Sequence, residues 1–280
     1  MRIATPCQAL SLALLLCAGC SRDTSVSLAL DFGRVPGGLW RYAVDARVNG
    51  TISASDSLAG ERGFASAAQC TLVCTADPKN PARFHASVAG ASFASNILAG
   101  AEIENLVAQS REVRLTCDTR NAAIVPDDSA AMPMIRIGEW DIFTDLAKAL
   151  PALPKIRVRP GASWDREKTI PLDTRYGGAD GHVLQSFRLD SVSVDPAGKR
   201  TAHIGWKFTY HVERRGANAD AAAAILLDRM PPRGDGAGTA TINVDDKTLQ
   251  SASMSFSVPQ GSEGTYRISW RETISLNRVY

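Results

Sequence analysis

Long hydrophobic runs are scarce in this chain, and so are cysteine, histidine and any excess of one charge. Beyond Leu10–Leu16, polar or charged residues interrupt every apolar stretch, so no second segment is fit to span a bilayer. Lys and Arg number 31 against 29 Asp and Glu, a formal charge of +2, and no basic run concentrates it. That balance excludes electrostatic capture of nucleic acid or of anionic lipid as the main mode of action. Recognisable catalytic motifs are missing too: there is no Gly-x-Ser-x-Gly, no supported Ser-x-x-Lys and no His-Glu-x-x-His. The four histidines are His85, His182, His203 and His211. His203 and His211 share a strand face but lie about 26 Å apart along it, too far to hold one metal. His182, beside Asp180, is the histidine with a carboxylate close in sequence, although such a pair more often caps a turn than forms a dyad. No cofactor or metal signature emerges.

Three of the 6 cysteines, Cys7, Cys17 and Cys20, fall in the first twenty residues, leaving Cys70, Cys74 and Cys117 in the body. In an extended segment Cys70 and Cys74 are about 13 Å apart, beyond bridging distance. In an oxidising compartment the expectation is a disulfide from Cys117 to Cys70 or to Cys74, with one thiol left over; three buried thiols are the alternative. A lone Cys-x₃-Cys without a second pair is a poor zinc site.

The chain opens with Met1-Arg2, a short apolar core at Leu10-Ser11-Leu12-Ala13-Leu14-Leu15-Leu16, and the exit Cys17-Ala18-Gly19-Cys20. One basic residue, a short apolar stretch and small residues before a break form a secretory signal pattern. With a cysteine directly after Ala18-Gly19 it resembles a bacterial lipoprotein signal. It departs from that pattern in carrying Cys17 three residues before Cys20, where Leu is usual. The resemblance implies a signal peptide at residues 1–19 and a lipidated Cys20 as the first mature residue. It further implies a tether over residues 20–24 and, with Ser21 rather than Asp next, sorting to the periplasmic face of the outer membrane. The four residues Ser21–Thr24 reach at most about 14 Å, so a folded body would sit close to the headgroups.

Period-two alternation recurs through the rest. Trp40, Tyr42, Val44, Ala46 and Val48 alternate with charged residues up to Asn49-Gly50, which reads as a turn. The same rhythm runs through Ala202–Val212, Ala252–Val258 and Tyr266–Leu276, with shorter runs at Val26–Phe32, Phe84–Val88, Val113–Cys117 and Ala240–Val244. A change of parity between Leu189 and Val192 predicts a bulge. Helical spacing is expected at 93–108, 140–150 and 218–230, and loops at Pro126-Asp127-Asp128, Tyr176–Gly181 and Arg233–Gly236. The fold class expected is mainly β (α+β), with curved antiparallel sheets covered on one face by a few amphipathic helices. Pro36-Gly37-Gly38-Leu39-Trp40 is echoed by Pro160-Gly161-Ala162-Ser163-Trp164, which suggests two related half-barrel-like repeats, 25–130 and 131–280.

With the approach Leu150-Pro151-Ala152-Leu153-Pro154, the Pro-Gly-x-x-Trp strand start resembles uncharacterised envelope lipoproteins over about half the chain. Curved sheets with helices across one side are similar to lipoprotein-localisation and lipid-carrying families. The resemblance implies a non-catalytic protein tied to the membrane by its lipid and binding an apolar small molecule or an envelope protein. A half-barrel lined by Trp164, Trp206, Phe208, Met254, Phe256 and Trp270 would suit an acyl ligand, although the same residues serve equally as core. A scaffold for an envelope complex and a hydrolase with a dispersed site are the other readings. Glu272, on the apolar parity of the last run, is expected at a rim or edge, or else as a buried functional carboxylate.

Overall fold

A computed structural model describes residues 27–31, 38–54, 61–80, 83–119, 123–127, 136–137, 140–141, 146, 149–174, 177–214, 233–259 and 266–279. Eleven strands form one antiparallel sheet, curved but not closed. The first half contributes β1 (Leu39–Ala54), β2 (Arg62–Ala76), β3 (Arg83–Ser95), helix α1 (Gly100–Ser110), β4 (Arg114–Asp118) and β5 (Ala123–Pro126). A separate two-stranded ribbon, β6 (Arg136–Ile137) and β7 (Trp140–Asp141), follows. The second half contributes β8 (Ser163–Thr174), β9 (Gly177–Val194), β10 (Arg200–Arg214), β11 (Arg233–Asn243), β12 (Thr248–Val258) and β13 (Tyr266–Val279).

The sheet order is β5-β4-β3-β2-β1-β13-β12-β11-β10-β9-β8. The first and last strands of the chain therefore pair at its centre, Val44 opposite Leu276 and Val48 opposite Glu272. Each half is a meander, and both travel the same way across the sheet, from β8 to β13 and then from β1 to β5. Trp40 and Trp164 each stand second in the opening strand of their meander, behind a positive-φ glycine, Gly38 (φ 80°) or Gly161 (φ 90°). Strand β1 is flanked on both sides, whereas β8 is an edge. The expected bulge is present: Ser191 faces His203 and Leu189 faces Ile204, leaving Asp190 as the extra residue on β9.

Several sequence expectations are corrected. Asn49-Gly50 does not turn; β1 runs straight through it, because Gly50 lies beneath the Phe64 ring of β2. The glycines of Tyr176–Gly181 and Arg233–Gly236 belong to β9 and β11 rather than to loops. Of the run Val26–Phe32, Leu28 forms an isolated bridge with Val158; Val26 and Phe32 lie outside the described residues. The helix expected at 93–108 starts later, since β3 continues to Ser95 and α1 occupies Gly100–Ser110. Its start is fixed by Glu102, whose carboxylate accepts the Ala99 N–H at 2.7 Å. Trp140 is in β7 rather than in a helix, while much of 140–150 and all of 218–230 lie outside the described residues.

The expected disulfide is not formed. Cys70, Cys74 and Cys117 are buried free thiols. Cys74 lies opposite Ala86 and Cys117 opposite Phe84, so β3 stands between β2 and β4. Two strand spacings are about 9–10 Å, and a bridge needs Cα atoms within about 7 Å. Burial pushes the Cys70 and Cys117 thiols up to about 12, and Cys74 upward for the same reason.

A candidate ligand site on the inner face of the sheet

One side of the sheet is apolar, and the strand register resolves it into rows. One row runs Trp164, Phe187, Trp206, Gly238, Met254, Ile274, Ala46, Ala68 across β8, β9, β10, β11, β12, β13, β1 and β2. The next runs Arg166, Gln185, Phe208, Gly236, Phe256, Glu272, Val48, Ser66. All six residues expected to line an apolar pocket share this face. Trp206, Phe208, Met254 and Phe256 are buried, and Trp164 and Trp270 are half-buried against the core. Their rings form chains: Trp164 stacks on Phe187 at 5.7 Å, Phe187 tilts onto Trp206 at 5.7 Å, and Phe208 stacks on Phe256 at 5.6 Å. Tyr210 and Trp270 meet Phe256 edge-on at 5.9 and 6.5 Å.

Glycine makes that arrangement possible. Gly234, Gly236 and Gly238 alternate along β11 and all face inward, beneath the rings of Phe256, Phe208 and Trp206. A Cβ at any of them would overlap the ring above it. The aromatic side chains can therefore lie flat on the neighbouring strand instead of standing out from the sheet.

The Pro-bounded segment after Ala149 closes the Trp164 end. Leu150, Ala152, Leu153 and Val158 are buried there with Leu28 and Leu30. The Trp164 indole N–H donates to the Ala152 carbonyl at 2.7 Å, and the Arg166 guanidinium donates to the Leu153 carbonyl at 3.3 Å.

Besides Arg166 and Ser66, other polar groups interrupt the apolar face. Gln185 is fully buried, and among the described residues neither its amide nitrogen nor its oxygen has a hydrogen-bond partner. The Trp206 indole N–H, one row away and one strand over, is also buried with no acceptor among the described residues. Glu272 is 1% exposed on β13, between β1 and β12, so it is neither at a rim nor at an edge. Lys168 reaches inward from β8, and burial pulls its ammonium down to about 8. Sequence patterning marked Glu272 by its parity and missed Gln185, which sits on the same parity as Phe187 and Val183.

Elsewhere the polar groups are engaged with one another. His85, on β3, receives or shares a contact with Thr116 Oγ1 at 3.0 Å and lies 4.0 Å from Asp77 and 3.9 Å from Asp127. Thr116 donates its own proton to Asp127 at 2.5 Å, so the contact with His85 uses Nδ1–H as donor. His85 then cannot act as base toward that hydroxyl. His182 stacks on His211 at 4.9 Å across β9 and β10, a pairing the sequence did not reveal. Asp245 is held below the usual carboxylate range by Arg200, in the turn after β11. Among the described residues no three His, Cys, Asp or Glu side chains are gathered to hold a metal. An open groove of about 430 Å³ on the opposite, polar face is lined by Asp45, Thr239, Ser253, Ser255, Thr273 and Ser275. Its hydroxyls bond to each other, Thr239 to Ser253 at 3.1 Å, and Asp45 already accepts from Arg47 and Gln69. Cys20 lies outside the described residues.

A scan against protein-family models finds no match, and neither does a search of curated proteins. Among solved structures the chain is similar to lipovitellin, in a structure of its lipid–protein interactions, at 10% identity and a TM-score of 0.46. That match covers 88% of this chain and 25% of the other, so the chain spans about a quarter of the lipovitellin chain's length. DynF of dynemicin biosynthesis from Micromonospora chersina matches at 7% identity over 92% of both chains, with a TM-score of 0.19. A LolA-superfamily protein of Nitrosomonas europaea matches at 10% identity over 89% of this chain and 87% of its own, with a TM-score of 0.18. The class defined by the chain's own strands is an open, curved, all-antiparallel sheet with one aromatic face.

Proposed function

We propose that this protein is a non-catalytic, membrane-anchored binding protein of the bacterial envelope that holds an apolar, lipid-like ligand against the inner face of its sheet. The observation that supports this most is the interruption of the aromatic face by Gln185. A buried amide with neither end hydrogen-bonded among the described residues costs about 1–3 kcal/mol, a cost that a ligand's polar group placed against it would offset. The rings around it, laid flat over the β11 glycines, offer broad apolar area of the kind that binds chains and fused rings. Acylation of Cys20 would hold the body beside the bilayer from which such a ligand comes, and Ser21 after it would direct it to the periplasmic face of the outer membrane.

Fluorescence titration with 1-dodecylpyrene tests the binding site. Saturable uptake at one probe per chain is expected; no uptake, or unsaturable partitioning, contradicts it. Anchoring is tested separately by Cys20→Ser, which should abolish metabolic labelling with palmitate and release the body from the membrane fraction. Unchanged labelling contradicts the lipid anchor and leaves the binding site standing.

A further inference from the structure

We infer that Gln185 and the Trp206 indole N–H together bind the carbonyl oxygen of an uncharged acyl group, an ester or amide, on the apolar ligand. This rests on the binding reading above and specifies the ligand's chemistry. Both groups project from adjacent strands onto the same face: Gln185 lies opposite Phe208, and Trp206 opposite Phe187, one row away. Gln185 has no exposed surface, and its amide nitrogen, its amide oxygen and the Trp206 nitrogen all lack partners among the described residues.

Their chemistry selects the guest. Two neutral N–H donors, carried on neighbouring strands in adjacent rows of one face, match the two lone pairs of one carbonyl oxygen. The free amide oxygen can accept from an amide N–H or a hydroxyl beside that carbonyl. A saturated hydrocarbon would leave all three atoms unsatisfied. A carboxylate would bring a full charge against neutral donors, and the Arg166 guanidinium is already directed to the Leu153 carbonyl. The Lys168 ammonium, one row further along β8, is the inward cation that would favour an acid, which the acid probe below tests. The surrounding rings, Phe187, Phe208 and Phe256, hold the rest of the ligand and exclude water, which strengthens both hydrogen bonds.

The test uses the full chain and three probes that share one pyrenyl-dodecyl body: 1-dodecylpyrene, 12-(1-pyrenyl)dodecanoic acid and its methyl ester. The wild-type protein should bind the methyl ester most tightly. Gln185→Leu keeps the volume and removes the amide, and Trp206→Phe removes the N–H. Each should weaken ester binding about tenfold, the worth of one buried neutral hydrogen bond, while leaving 1-dodecylpyrene unchanged. Gln185→Leu should also melt no lower than wild type, since it replaces an unsatisfied amide with an apolar group. Equal affinity of the wild-type protein for ester and hydrocarbon overturns the inference but not the binding site. So does tighter binding of the acid, or equal weakening of all three probes by both variants. Failure of every probe to bind wild type contradicts the binding reading itself.

Discussion

Individual residues on the inner face show how far side-chain identity is dictated by a neighbour on another strand. Gly236 is the sharpest case, because the Phe208 ring occupies the space where its side chain would be. Gly236→Ala should destabilise the protein by about 1–3 kcal/mol in urea unfolding, the usual cost of overpacking. The double variant Gly236→Ala/Phe208→Ala should then lose less than the two single changes added together, since removing the ring removes the clash. Additive losses would mean that ring and glycine are independent. Lys168 makes a prediction about pH. Its folded pKa, lowered by burial to about 8, lies below the unfolded lysine value, so the unfolded chain binds more protons between those two values. Stability from this group therefore rises as pH climbs above about 8. The Tm of wild type relative to Lys168→Met should rise as pH goes from 7 to 10; a constant difference across that range contradicts the account. Gln185 and Gly236 were hard to find in the sequence for the same reason. Each takes its meaning from a partner strand, and alternation within one strand does not show what lies across from it.

At the scale of elements, legibility followed periodicity. The alternating runs became β1, β10, β12 and β13, with Trp206, Phe208, Met254, Phe256 and Ile274 buried on one face, and the Leu189–Val192 parity change became the Asp190 bulge. Glycine-bearing segments misled, because Gly next to Asp or Asn favours a turn when read locally. In β11 and at Gly50 the glycines instead make room for rings from Phe208 and Phe64, a tertiary requirement that overrides turn propensity. The cysteines misled through register: both segments carry their thiols on the inner face, but an entire strand separates Cys74 from Cys117. Denatured, unreduced protein should accordingly yield three body thiols to Ellman's reagent, and native protein almost none at pH 8, since burial holds the thiols protonated there. A single body thiol in the denatured sample would restore the bridge.

For the whole molecule, the β1–β13 seam makes one continuous surface from two sequence halves. The second half supplies the longest run of rings, from Trp164 to Trp270. Across the seam the first half continues the surface with the smaller Val44, Ala46, Val48 and Ala68, and then with rings of its own, Trp40 and Phe84, in contact at 5.5 Å. A ligand lying along the Gln185–Glu272 row would thus touch rings at one end and small aliphatic side chains at the other. The hydroxyl-bearing residues Thr239, Ser253, Ser255, Thr273 and Ser275 face away, with Asp45, on the side of the polar groove. The two faces differ enough for one experiment to assign the ligand to one of them. Photo-crosslinking the full chain with a diazirine-bearing C16 methyl ester, followed by peptide mass spectrometry, should place label on Met254, Phe208 or Phe256. Label confined to Ser253, Ser255 or Thr273, or no saturable label at all, would contradict an apolar ligand site on the inner face.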